Sequence, residues 1–203
     1  MLVVTNLTKF FGRQKVLDNL TYQFHHENLY VITGVSGSGK STLLHIISGI
    51  LNKDHGTLRY KTKELHKKDV VSVLQTAYLF GDLTVQDNIN IPTLLERKIN
   101  KKERAELVNL FKIKHILKRQ VKVCSGGEKA RTNLVRSLIV TAPIVVVDEP
   151  TANVDYENAL LIAESLAKFA LKRLIIVTSH QPQLFNFPNV KIMKLSNGKL
   201  YET

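Results

Sequence analysis

Leu29-Tyr30-Val31-Ile32-Thr33-Gly34-Val35-Ser36-Gly37-Ser38-Gly39-Lys40-Ser41-Thr42-Leu43-Leu44-His45-Ile46-Ile47 is the stretch that decides the fold. The apolar, β-branched run over Leu29–Thr33 predicts a buried strand, and the run from Leu43 predicts a helix packed on a sheet. Between them lie a glycine-rich turn and a Lys-Ser pair, which is the order of a phosphate-binding P-loop. Gly34, Gly37 and Gly39, with Ser36 and Ser38 between them, let the backbone curl until successive N–H groups face inward. The helix start adds unpaired N–H groups and the positive end of a dipole. Lys40 brings a charge that reaches β- and γ-phosphates, Ser41 a hydroxyl suited to Mg²⁺, and Thr42 a hydroxyl within reach of an α-phosphate. These residues predict a nucleoside triphosphate site and leave its purpose to the rest of the chain.

A second chemical centre is predicted at Ile144-Val145-Val146-Val147-Asp148-Glu149. Four consecutive apolar residues mean a strand buried on both faces, and its two terminal carboxylates fall where open α/β sheets bind ligands. Burying charge without a partner is costly, so acids here point to chemistry rather than packing. Asp148 is placed to hold Mg²⁺, directly or through water, and Glu149 to orient or deprotonate a water. Leu174–Thr178 reads as another buried strand ending at Ser179-His180. His180 reads either as a surface histidine or as a donor to a γ-phosphate. Cys124-Ser125-Gly126-Gly127-Glu128 opens a helix running to about Val140, either as an ordinary serine cap or as a second anion site at a helix start. Phe10 and Phe11, beside a turn at Gly12, read either as core or as an aromatic that stacks on a purine.

The flanking pattern is mixed. Strands are predicted at Leu2–Thr5, Leu20–Phe24, Gly56–Tyr60 and Val70–Leu74. A closing pair is predicted around the Asn197-Gly198 turn. Gln75 ends the fourth of these strands. From Gly81 to Val123 the pattern is helical, with one segment starting at Thr84, Pro92 early in the next, and an amphipathic run over Lys101–Phe111. Another helix is expected from about Tyr156 to Ala170. The chain has 203 residues, 29 Lys plus Arg against 17 Asp plus Glu, and a formal charge of +12, which suits an anionic partner. The bases crowded into the helical region read as a solvated face or as a surface turned to anionic lipid or a partner. A single cysteine excludes an intrachain disulfide framework and a cysteine-based zinc site. No apolar run is long enough to cross a bilayer, and no signal-peptide pattern opens the chain. A cytoplasmic protein is expected, with any membrane part supplied by another chain.

Taken together, the motifs resemble the ATP-binding subunit of an ATP-binding-cassette (ABC) transporter, over essentially the whole chain and in that family's order. GVSGSGKST is similar to the Walker A motif, VVVDE to Walker B with its catalytic glutamate, CSGGE to the LSGGQ signature, and PTANVD to the D-loop. Gln75 falls at the Q-loop glutamine, His180 at the switch histidine, Phe11 at the adenine-stacking aromatic and Val16 at an apolar contact beside the base. The resemblance implies an α/β P-loop fold with an antiparallel β part and a small helical lobe. Residues 1–80 and 125–203 would form the catalytic core and 81–124 the lobe. It implies ATP and Mg²⁺ as cofactors, with Ser41, Gln75 and Asp148 around the metal and Lys40, Gln75, Glu149 and His180 in catalysis.

It further implies head-to-tail dimers in which Ser125, Gly126, Gly127 and Glu128 of one cassette cover the nucleotide of the other, with Asp155 at the seam. The second cassette would be the same or a related chain. A separate transmembrane permease would hold the subunit on the inner face of the membrane. Cys124 and Glu128 stand where the family usually has Leu and Gln. The compactness resembles small bacterial efflux-type subunits, which implies export. A non-transport ABC ATPase acting on nucleic acid or ribosomes is the other reading. It lacks a coiled-coil insertion, zinc-hook cysteines and a second cassette here, so no nucleic-acid partner is expected. A regulatory module that binds ATP without turnover fits poorly with Glu149 and His180 both in place.

Overall fold

The computed structural model describes residues 1–74, 78–95, 99 and 101–203. Among the described residues, ten strands and five α-helices follow in the order β1 (Leu2–Phe11), β2 (Gln14–Phe24), β3 (Leu29–Thr33), α1 (Lys40–Ile47), β4 (His55–Tyr60), β5 (Lys63–Glu64), β6 (Val70–Val73), α2 (Val85–Leu94), α3 (Lys101–Leu110), α4 (Gly126–Leu138), β7 (Ile144–Asp148), α5 (Tyr156–Ala170), β8 (Leu174–Thr178), β9 (Val190–Ser196) and β10 (Lys199–Glu202). The architecture is α/β, with a six-stranded sheet ordered β10-β9-β3-β8-β7-β6 and a four-stranded sheet ordered β2-β1-β4-β5. Strands β9, β3, β8, β7 and β6 run parallel, so the carboxyl ends of β3, β7 and β8 share one edge. That edge carries the site.

The strand period sorts side chains between two cores. Tyr30, Ile32, Ile144, Val146, Leu174 and Ile176 face α1 and the antiparallel sheet. Leu29, Val31, Val145, Val147, Ile175 and Val177 face the other way, against α4, α5 and the apolar sides of α2 and α3. Every residue of β7 and of β8 is buried, because each strand is covered on both faces. Helix α1 stops where expected: Gly49 takes φ 70° and its N–H donates to the Ile46 carbonyl. The segment after α3 folds into 3₁₀ turns at Lys114–Ile116 and Val121–Val123. Helix α3 is tied to the α5–β8 corner by the buried Arg173–Glu103 ion pair and by Lys172 with Glu106.

Several expectations need correction. Strands β1 and β2 run much further than Leu2–Thr5 and Leu20–Phe24, meeting in a hairpin at Gly12-Arg13. Register shifts between Val4 and Phe10 break the alternation that would reveal them. Pro92 lies inside α2 rather than early in a following helix. Among the described residues, 81–124 hold α2, α3 and two 3₁₀ turns, all helical in kind. The pair of strands at Asn197-Gly198, helix α5 and helix α4 fall where the sequence predicts them.

Candidate functional site

The glycine loop leaves β3 at Gly34 and enters α1 at Lys40. Gly37 and Gly39 take φ of 77° and 100°, the left-handed region that side chains resist. A Cβ on Gly39 would sit 2.8 Å from a Val16 methyl, and one on Gly34 would sit 2.6 Å from the Leu195 carbonyl oxygen. Close approach thus requires glycine at both positions, and it sets Val16 directly against the loop. Ser36 and Gly37 are exposed at the crest of the turn, where a Cβ on Gly37 would meet open space. The Lys40 ammonium is buried and donates to the carbonyls of Gly34 at 3.0 Å and Val35 at 3.2 Å. It therefore lies over the loop that its own backbone forms. The Ser38 hydroxyl is buried with no partner.

Across the sheet edge, pairing of β7 with β8 sets Asp148 beside Thr178. The Thr178 hydroxyl donates to Asp148 Oδ1 at 2.6 Å and accepts the Glu149 N–H at 3.0 Å. One fully buried hydroxyl thus orients both acids. The Ser41 hydroxyl donates to the same Asp148 oxygen at 3.2 Å, so the two oxygen groups expected to hold a metal meet. A hard cation such as Mg²⁺ takes few protein oxygens and fills its remaining positions with water and phosphate. Ser41 and Asp148 fit that requirement. Among the described residues no group of three or more acidic, histidine or cysteine ligands forms an all-protein metal cage. Gln75, the third residue expected at the metal, lies outside the described residues.

Glu149 takes φ 49°, unusual for a non-glycine residue, and its Oε1 is buried without a hydrogen bond. His180 Nε2 stands 3.4 Å from that oxygen, close enough for attraction and too long for a well-formed bond. A buried, unpaired carboxylate oxygen facing an exposed imidazole leaves room for a group that bonds to both. One cavity of about 520 Å³ unites these parts: Phe11, Gln14, Val16, Ser36, Gly37, Gly39, Lys40, Ser41, Thr42, Glu149, Ala152 and His180 line it. Phe11 is half exposed at the hairpin tip, so it belongs to the cavity and not to the core, and Lys9 lies over its ring. Phe10 is also exposed there.

The CSGGE segment does not line this cavity. Ser125 caps α4 through a reciprocal pair: its Oγ accepts the Glu128 N–H at 3.2 Å, and its N–H donates to Glu128 Oε2 at 2.8 Å. Ser125 and Gly126 are exposed, and Gly127 is buried. A Cβ on Gly127 would lie 2.4 Å from Asn158 Cγ. Asn158 is itself held by Asp155, which accepts its backbone N–H at 3.0 Å and its side-chain amide at 2.6 Å. These bonds hold the exposed Asp155 carboxyl below the usual range, the bond from the Asn158 backbone contributing most. Asp155, Asn158 and Gly127 thereby link the D-loop-like turn to the start of α4. Burial raises the Cys124 thiol, and Glu128 raises it further. Arg131, a buried residue of α4, donates to the carbonyls of Gly127 and Phe111.

Sequence reasoning missed Thr178, Asn158 and Arg131. For Thr178 there was a signal, a hydroxyl residue closing an otherwise apolar strand. For Asn158 the signal was weaker, an amide three residues beyond an Asp at a helix start.

Such a strand edge, with a lysine-bearing glycine loop facing two carboxylates, defines a P-loop nucleoside triphosphatase. Residues 17–152 match the family model for the ABC transporter, and the chain belongs to that family, as its ATP-binding ATPase component. Among its relatives, HrtA of Staphylococcus haemolyticus, described as a hemin import ATP-binding protein, is 29% identical over 98% of each chain. The lipoprotein-releasing system ATP-binding protein LolD of Wigglesworthia glossinidia brevipalpis is 30% identical over 100% of this chain and 96% of its own. The phosphonates import ATP-binding protein PhnC of Fusobacterium nucleatum is 29% identical over 98% of this chain and 90% of its own. A nucleotide-free cassette from an ABC transporter has the same fold, with a TM-score of 0.85 at 23% identity over 100% of this chain and 90% of that one. A dimeric bacterial cassette has it too, with a TM-score of 0.83 at 23% identity, over 100% and 98%. Two of these three relatives are named for import and one for lipoprotein release, so the expectation of export gains no support from them. Among the described residues no helix is long and apolar enough to cross a membrane.

Proposed function

We propose that this chain binds and hydrolyses MgATP, closes on a second copy of itself, and so drives a separate transmembrane permease. The observation that carries the reading is the cavity where the glycine loop, Ser41, Glu149 and His180 converge, Ser41 being bonded in turn to Asp148. In this reading the amides of Ser36–Lys40 and the Lys40 ammonium take the phosphates, Thr42 takes the α-phosphate, and Phe11 and Val16 flank the base. Lys40 gives up two carbonyl contacts in the loop for charge-assisted ones. Ser41 and Asp148, with Gln75, would hold Mg²⁺, which when bound would supply positive charge to stabilise the reacting phosphates. Glu149 Oε1, buried and unpaired, accepts from the attacking water, and His180 donates to the γ-phosphate. Thr178 keeps both acids in register while this happens.

The second copy is needed because Ser125 and Gly126, the exposed donors at the start of α4, lie off the cavity and have no phosphate of their own. Exposed Val35, Val123 and Tyr156 stand in the glycine loop, before the signature and after Asp155, a distribution that suits a face meeting another chain. The names of the relatives support work at a membrane and leave direction and cargo to experiment. A phosphate-release assay tests the reading. Glu149→Gln is expected to keep ATP binding and lose turnover about a hundredfold, the usual cost of losing one positioned group. Near-normal turnover would show that Glu149 is not the base.

A further inference from the structure

We propose that Arg119 is a positioning residue for the signature, neutralising Glu128 so that the start of α4 can receive a phosphate. The proposal rests on the reading in which α4 of one copy meets the nucleotide of the other. Glu128 sits in the first turn of α4 and is only 14% exposed. Its Oε2 is committed to the Ser125 N–H, which fixes the capping serine. A carboxylate closes such a reciprocal cap better than an amide and suits the helix dipole. It also places a negative charge beside the N–H groups that would face a triphosphate, and like charges there repel.

The remaining oxygen shows how this chain answers the conflict. Arg119 Nη1 lies 3.5 Å from Glu128 Oε1, and His115 Nε2 lies 3.8 Å from the same oxygen. The Arg119 backbone is pinned on both sides, donating to the Ile116 carbonyl at 2.8 Å and accepting the Val85 N–H at 2.9 Å. Glu128 is the one side chain the guanidinium meets among the described residues. Burial does most to push the neighbouring Cys124 thiol up; Glu128 adds to it, while Arg119 and Lys129 pull it down. Glu128 therefore serves the cap, and Arg119 removes the electrostatic penalty that the cap imposes on the phosphate side.

A charge cycle on the full chain tests this. The Michaelis constant for MgATP in phosphate release is measured for the wild type, Arg119→Met, Glu128→Gln, the double variant, Arg119→Lys and Ser125→Ala. Arg119→Met is expected to raise the constant about threefold at low salt, as suits a half-exposed ion pair, with turnover at saturation within twofold. The rise is expected to shrink at high salt, to be rescued by Arg119→Lys and to vanish in the Glu128→Gln background, while the thermal midpoint of Arg119→Met stays with that of the wild type. An equal rise in both backgrounds, or none in either, overturns the proposal. Full turnover in Ser125→Ala overturns the two-copy reading instead, whatever Arg119 does.

Discussion

Thr178→Val removes one hydroxyl and almost no volume, and the structure makes its cost calculable. The hydroxyl donates to the Asp148 carboxylate at 2.6 Å and accepts the Glu149 N–H at 3.0 Å, at a site with no solvent exposure. Asp148 keeps the Ser41 hydroxyl as a partner, so the loss there is partial. The Glu149 N–H is left with none. A hydrogen bond to a charged group contributes about 1.5–3 kcal/mol and an orphaned buried donor costs about 1–3 kcal/mol; allowing for the partner Asp148 retains, a total near 3 kcal/mol is expected. In a chain of this length that lowers the thermal midpoint by about 6–12 °C. Glu149 also loses the bond that secures its left-handed backbone, so its carboxylate drifts and turnover falls at least tenfold. Thr178→Ser keeps the hydroxyl and loses only a buried methyl, about 1 kcal/mol, with turnover nearly intact. Melting curves and phosphate release on both variants decide the matter. A valine variant as stable and as active as the serine variant would refute the idea that this hydroxyl orders the two acids.

Four further outcomes follow from the structure. Lys40→Ala removes the buried ammonium that lies over the glycine loop, so ATP affinity by fluorescence titration should fall at least about tenfold; unchanged affinity would take Lys40 out of the phosphate site. Gly127→Ala would force a Cβ to within 2.4 Å of an Asn158 that Asp155 already holds, and should cost about 1–3 kcal/mol in denaturant unfolding and most of the turnover. Gly126→Ala, where the nearest atom is 3.9 Å away, should leave stability close to that of the wild type. Burial, reinforced by Glu202 and Tyr30, pushes the Tyr22 phenol up to about 12. The neutral form is thus favoured by folding, so its contribution is complete below the ordinary value near 10 and is lost as pH rises toward 12. Burial raises the Tyr30 and Tyr60 phenols as well, so ultraviolet titration should find more than one phenol ionising late, with stability declining over that window.

Legibility in the sequence followed locality. The glycine loop, the Asp148-Glu149 pair and the CSGGE start of α4 are short contiguous signals, and each lies where it was expected. Thr178 was opaque because its role arises from register, when β8 comes to lie beside β7 and faces a carboxylate 30 positions away. The full length of β1 and β2 was hidden by bulges that interrupt the two-residue period. Pro92 misled because tertiary packing carries α2 past a residue that normally ends a helix. Phe11 could not be placed by spacing, since the turn that lifts it from the core depends on how far the hairpin extends. Arg119 and Glu128 belong to elements with different neighbours, and only folding brings them together.

The roles proposed for the signature and for driving a permease depend on two cassettes closing around nucleotide. The direct measurement is light scattering of the Glu149→Gln variant with and without MgATP. The account predicts a mass near that of one 23.0 kDa chain without nucleotide and twice that value with it, the doubling lost when Ser125 is also replaced by Arg. A variant that binds MgATP to saturation and keeps the mass of a single chain would contradict it.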